Sequence, residues 1–126
     1  MAVTGISTSA NSPGAERFYE LMRLKINEIW SPDLKPPATG MPPDVSNFSV
    51  PMVVSISEEG SSDSEEFLFY ACIPVYSKAH PEPSLCFDEF DWTAIRERVE
   101  GILQERENCE TWDEVIEQLA PHMECA

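Results

Sequence analysis

"NFSVPMVVSIS", residues 47–57, decides how the rest of the chain is read. Phe48, Val50, Met52, Val54 and Ile56 fall on one side of an extended backbone, and Asn47, Ser49, Pro51, Val53 and Ser55 on the other. A sustained period of two marks a strand with one buried face. Pro51 brings no N–H to a ladder, which places the strand at an edge or at a local bulge. The run "EEFLFYACIPVY", residues 65–76, repeats the pattern through Phe67, Phe69, Ala71 and Ile73. Two such runs joined by a short Gly/Ser/Asp segment predict a β-hairpin.

Upstream, "YELMRLKINEIW" (19–30) alternates through Met22, Leu24 and Ile26 and predicts a further half-buried strand, with Ile29 and Trp30 breaking the alternation. A helix from Glu16 to Leu24 is the competing reading. "SPDLKPPATGMPPD" (31–44) holds five prolines and is a loop. Residues 1–16 are small and polar without periodicity, the pattern of a mobile arm; residues 17–126 then form a single domain.

Downstream, "SKAHPEPS" is a loop, and "LCFDEF" (85–90) is short enough to be one more strand. From Asp91 the period changes: Trp92, Ile95, Val99 and Ile102 lie on one helical face, with Asp91 as N-cap. A second helix begins at "TWDEVIEQL", where Thr111 and Glu114 match a capping box and Trp112, Val115, Ile116 and Leu119 form the apolar stripe. Pro121 ends it, and "HMECA" is too short to classify. The order predicts an α+β domain: an antiparallel β-sheet of three to five strands around a central β-hairpin, packed on one face by two C-terminal α-helices.

Charge is unevenly spread. The net charge is −15. Residues 1–57 hold five acids and four bases, whereas residues 58–126 hold eighteen acids and four bases. Such a field repels phosphates and anionic lipid, so neither nucleic acid nor membrane is an expected partner. A basic protein surface is. The N-terminal stretch lacks the charged and apolar regions of a secretory signal, which predicts a cytoplasmic protein. Cys72, Cys86, Cys109 and Cys125 are widely spaced without a C-x-x-C pair and are expected as reduced thiols.

No catalytic signature stands out: there is no Gly-rich phosphate loop, no G-x-S-x-G and no H-E-x-x-H. No cofactor is called for. His80 and His122 lie far apart, and the "DEFD" carboxylates have Asp91 engaged as a cap, so no metal site is expected. The candidate partner-binding residues are acidic. Glu58, Glu59, Asp63, Glu65 and Glu66 crowd the predicted hairpin tip, where like charges do nothing for the fold. Asp88 and Glu89 form a second acidic stretch, and Trp30, between strand and proline loop, is a candidate aromatic anchor. Trp92 and Trp112 each open an apolar helical stripe and are better explained as core anchors.

The ordered series "WSPDL", "FSVPMVVSIS", "CIPVY", "FDEFDWTAIRERVEGIL" and "CETWDEVIEQL" resembles the immunity protein 8 family of bacterial polymorphic toxin systems. The resemblance covers about residues 28–120 and is most specific at Asp91, Trp92, Ile95, Thr111, Trp112, Glu114 and Leu119. Family members commonly close with an aromatic and acidic strand, of which "HMECA" keeps only Glu124. The resemblance implies a non-enzymatic protein that neutralises a cognate toxin by tight binding, and the acidic charge fits a basic, nuclease-like toxin. The alternative from the charge pattern is an acidic adaptor or chaperone that holds a basic secreted effector without inhibiting it; a small hydrolase is a more distant third.

Overall fold

The computed structural model describes residues 22–79 and 81–126. The arm expected over residues 1–16, the start of the run at Tyr19 and His80 lie outside them.

Two long strands form the centre: β2 (Ser49–Glu58) and β3 (Ser64–Cys72). Their register runs without a break from Ser49↔Cys72 to Ser57↔Ser64. Directly opposed residues share a face, so Val50, Met52 and Val54 stand beside Ala71, Phe69 and Phe67, all buried. β1 (Leu24–Trp30) pairs antiparallel with β2 on its other side.

Asn27 is an extra residue in β1, because Ile26 pairs with Ile56 while Glu28 pairs with Ser55. Such a bulge shifts the alternation by one. Ile26 and Ile29, three residues apart, therefore both face the core, and Trp30 faces away beside Val53. Asn27 Oδ1 accepts from Ser57 Oγ at 2.9 Å, which holds the bulge against β2. The broken alternation at Ile29 and Trp30, the last residues of β1, thus follows from a bulge at Asn27.

Pro51 sits in the central strand, yet its missing donor costs no ladder bond. β1 stops at the Trp30↔Val53 pair, short of Pro51. Opposite Pro51, Tyr70 sends its N–H away from β2, to the Pro83 carbonyl at 2.9 Å, so Pro51 N likewise points to the vacated β1 side.

The outer edge of β3 is shared. β4 (Ser84–Cys86) runs parallel to its Tyr70–Cys72 end, and β5 (Glu124–Cys125) runs antiparallel to Phe67 and Leu68. The five-stranded sheet is therefore mixed, a departure from the all-antiparallel expectation confined to β4. "HMECA" supplies β5, with Met123 fully buried.

α1 (Trp92–Glu105) and α2 (Trp112–Leu119) cover one face, as expected for this α+β class. Asp91 caps α1, its Oδ1 accepting from the N–H of Thr93 at 2.9 Å and of Ala94 at 3.4 Å. α1 buries Ile95, Val99, Ile102 and Leu103. Thr111 caps α2 by accepting from Glu114 N at 3.3 Å. Glu114 reaches back to the N–H of Glu110 at 2.7 Å, one residue earlier than in a standard capping box. The proline-rich loop is ordered by its own bonds. Leu34 is buried, Gly40 N donates to Pro36 O at 2.7 Å, and Gly40 O accepts from Trp92 Nε1 at 2.8 Å.

A Cβ at Gly40 would lie 2.7–2.8 Å from Lys35 backbone atoms. Gly40→Ala is expected to cost about 2 kcal/mol, as overpacking against backbone does, and to lower the denaturation midpoint. Thr111→Ala should cost about 1 kcal/mol by loss of the cap; an unchanged midpoint would mean that α2 is held by its packing alone.

Candidate functional site

The hairpin tip is a built turn. Glu58 O accepts from Ser61 N at 3.1 Å, and Gly60 takes φ +80 at the third position, the left-handed region that glycine enters without strain. Ser61 Oγ accepts from Asp63 N at 3.0 Å, and Glu59 N donates to Arg23 O at 2.7 Å, which ties the tip to the start of β1.

This frame sorts the acidic residues. Glu59 and Asp63 are exposed on the tip itself. Glu66 is exposed on the face away from the helices, opposite Ser55. Glu58 and Glu65 are half-buried on the helix side, and Glu65 Oε1 accepts from Cys125 Sγ at 3.5 Å. Among the described residues no ion pair reaches Glu58, Glu59, Asp63 or Glu66.

Asp88 and Glu89 are not part of this cluster. They follow Cys86, which pairs with Cys72 at the far end of β3, roughly 26 Å from the tip by strand rise. Both are exposed beside a shallow groove of about 420 Å³. There Arg98 stacks 4.7 Å over the Phe87 ring and donates to Cys86 O at 2.9 Å, placing a cation within that acidic stretch. The two acidic segments are separate surfaces.

Trp30 is joined to the tip side. Its register row reads Trp30, Val53, Leu68, Glu124, and the next row towards the tip reads Glu28, Ser55, Glu66. Trp30, Leu68 and Tyr70 take no part in the core cluster, unlike Trp92 and Trp112, which pack against it. Leu68 is 38% exposed, unusual for a leucine in the middle of a sheet strand. Sequence reasoning passed over Leu68 and Tyr70, although apolar residues on the outward phase of β3 were the available signal.

A second feature was not legible at all. A cleft of about 660 Å³ between β1 and α1 gathers Arg23, Lys25, Arg96 and Arg106, half of the chain's eight bases, with Glu59 and Glu100. Arg96 pairs with Glu100 at 3.4 Å, and Arg106 donates to the carbonyl of Met22. These residues are scattered in sequence, and only the fold assembles them.

The four cysteines are free, and Cys72 and Cys86 are register neighbours. Burial and then the adjacent Cys86 thiol push Cys72 above its ordinary value of 9.0. Burial and then Glu65 do the same for Cys125. Among the described residues, no group of three His, Cys, Asp or Glu side chains is placed to hold a metal ion, and no helix is long and apolar enough to cross a membrane. Compared with known protein families, curated proteins and solved structures, the chain gives no match.

A thiol whose pKa is raised by folding stabilises the fold fully below its unfolded value, and that contribution is lost as pH rises through the folded one. Stability should therefore decline above about pH 9, where the unfolded thiols ionise first. The decline should be shallower in Cys72→Ala, as followed by thermal midpoints between pH 7 and 10.

Proposed function

We propose that this chain is an immunity protein, which binds a basic antibacterial toxin domain and keeps it inactive by covering its active site or an adjacent surface. The observation that carries this reading is the hairpin tip. A long, regular hairpin holds Glu59, Asp63 and Glu66 exposed to solvent, none of them in an ion pair among the described residues, with Glu59 alone bordering the basic cleft. Such a surface lowers its energy when a cationic surface meets it, and it draws that surface in from a distance. Toxins that cut nucleic acid bind phosphates in basic clefts. Carboxylates on a rigid projection occupy the same positions, and a desolvated guanidinium–carboxylate pair there is worth several kcal/mol.

The resemblance to the immunity protein 8 family supports the same conclusion in a particular way. Asp91 and Thr111 are helix caps, Ile95 and Leu119 are buried, and Trp92 and Trp112 lean on the core. The resembling residues are thus the scaffold, while the acidic tip is where partner choice resides. In this reading the protein works in the cytoplasm of the producing cell, without turnover and without a cofactor.

The direct test is co-expression with the toxin domain recovered from the host as the chain's stoichiometric partner. Restored growth is expected, whereas binding without protection would instead fit an acidic adaptor. A kinetic prediction follows from the tip. With Glu58, Glu59, Asp63 and Glu66 changed to Ser or Asn, and Glu65 kept for its contact with Cys125, association with the toxin should slow by about tenfold or more at low salt. The difference should shrink above physiological ionic strength as screening removes the steering. Equal association rates at low salt would leave the carboxylates as solubilising charge only.

A further inference from the structure

We propose that the open face of the sheet, centred on Trp30, Val53, Leu68 and Tyr70, is the docking surface for an apolar segment flanked by Lys or Arg on the partner. This rests on the reading of the chain as a binder of a basic protein and names the surface that does it.

The register places these side chains together. Trp30, Val53 and Leu68 are opposed across three strands, and Tyr70 is two residues along from Leu68 on the same side of β3. None belongs to the core cluster beneath the helices; Leu68 stands 38% exposed between half-buried Trp30 and Tyr70, and Val53, 8% exposed, is the floor between them. An apolar patch on an otherwise charged surface has an energetic cost in water that a partner removes. Trp and Tyr are also the side chains that most often anchor interfaces.

Charge identifies the occupant. Glu28 and Glu66 flank the patch on the tip side, and Glu124 flanks it on the β5 side; all three are exposed. Lys25 lies one row nearer the tip. An apolar centre with a carboxylate rim fits a partner with apolar residues ringed by cations. A second copy of this chain fits poorly, since a two-fold pairing of such faces would oppose carboxylate to carboxylate between molecules of net charge −15. From strand spacing and rise, the face covers roughly 400 Å², about half of what one partner contributes to a standard interface. The remainder lies next to it, because the row of Glu28, Ser55 and Glu66 leads on, past the row of Lys25, Ser57 and Ser64, to Glu59 and Asp63 at the tip. Face and tip form one continuous surface, apolar at its centre and acidic towards its end.

The experiment uses the full chain labelled with 15N and two end-blocked eight-residue peptides, one alternating Leu and Arg, the other alternating Leu and Ser. With the Leu/Arg peptide, the Trp30 indole N–H and the amides of Val53, Leu68 and Tyr70 should shift. The Leu/Ser peptide should leave them in place. Leu68→Asn, at a site open enough to spare the fold, should weaken binding about tenfold with an unchanged thermal midpoint. Shifts confined to residues 59–63 would overturn the face while leaving the acidic tip as the contact. Equal response to both peptides would overturn the cationic partner. Shifts at Trp30 that grow with the protein's own concentration would assign the face to a second copy and overturn the proposal. Should the face respond while co-expression fails to protect against the toxin, the docking surface stands and the immunity reading falls.

Discussion

The nine register pairs between β2 and β3 constrain everything else in the molecule. Because side chains alternate strictly, a slip of β3 by one residue would move Phe67 and Phe69 into solvent and bring Leu68 and Glu66 under the helices. Burial of large side chains at each core position makes that slip prohibitive, at roughly 2 kcal/mol or more apiece. The same pairs position the tip, since Ser57↔Ser64 leaves room only for the turn through Gly60. Core, tip and open face are three outcomes of one register.

Patterns confined to a single segment were legible in the sequence. The alternation from Phe48 to Ile56, the Asp91 and Thr111 caps and the apolar stripes of both helices are each complete within about a dozen residues. What escaped depends on distant partners. Asn27 looks like any polar residue in a strand, and its role as a bulge exists only opposite Ile56 and Ser55. β4 is three residues long and β5 two, too short for periodicity, and each owes its existence to backbone groups left open on β3. The site divides in the same way. The crowding of carboxylates between Glu58 and Glu66 is visible in one dimension. Their separation onto tip, helix side and open face, and their distance from Asp88 and Glu89, follow from register. Trp30 stood out by its position before a proline, but the side it faces is set by the bulge.

Concentrating negative charge is tolerable here because of where it sits. Glu59 and Asp63 are exposed to water, where mutual repulsion amounts to tenths of a kcal/mol per pair. Two of the bases, in contrast, hold parts of the fold together. Arg106 ties the end of α1 to Met22, and Arg98 covers Phe87.

The shared outer edge of β3 has a consequence for how the chain is made. β4 closes one half of that edge soon after β3 leaves the ribosome, but β5 arrives only after both helices have been synthesised. Through that interval the backbone at Phe67 and Leu68, flanked by some of the most apolar residues of the sheet, has no strand on its outer side. Unpaired strand edges of this kind are where nascent chains join one another. The dense carboxylates just upstream, at the start of β3, are then well placed to keep neighbouring nascent copies apart.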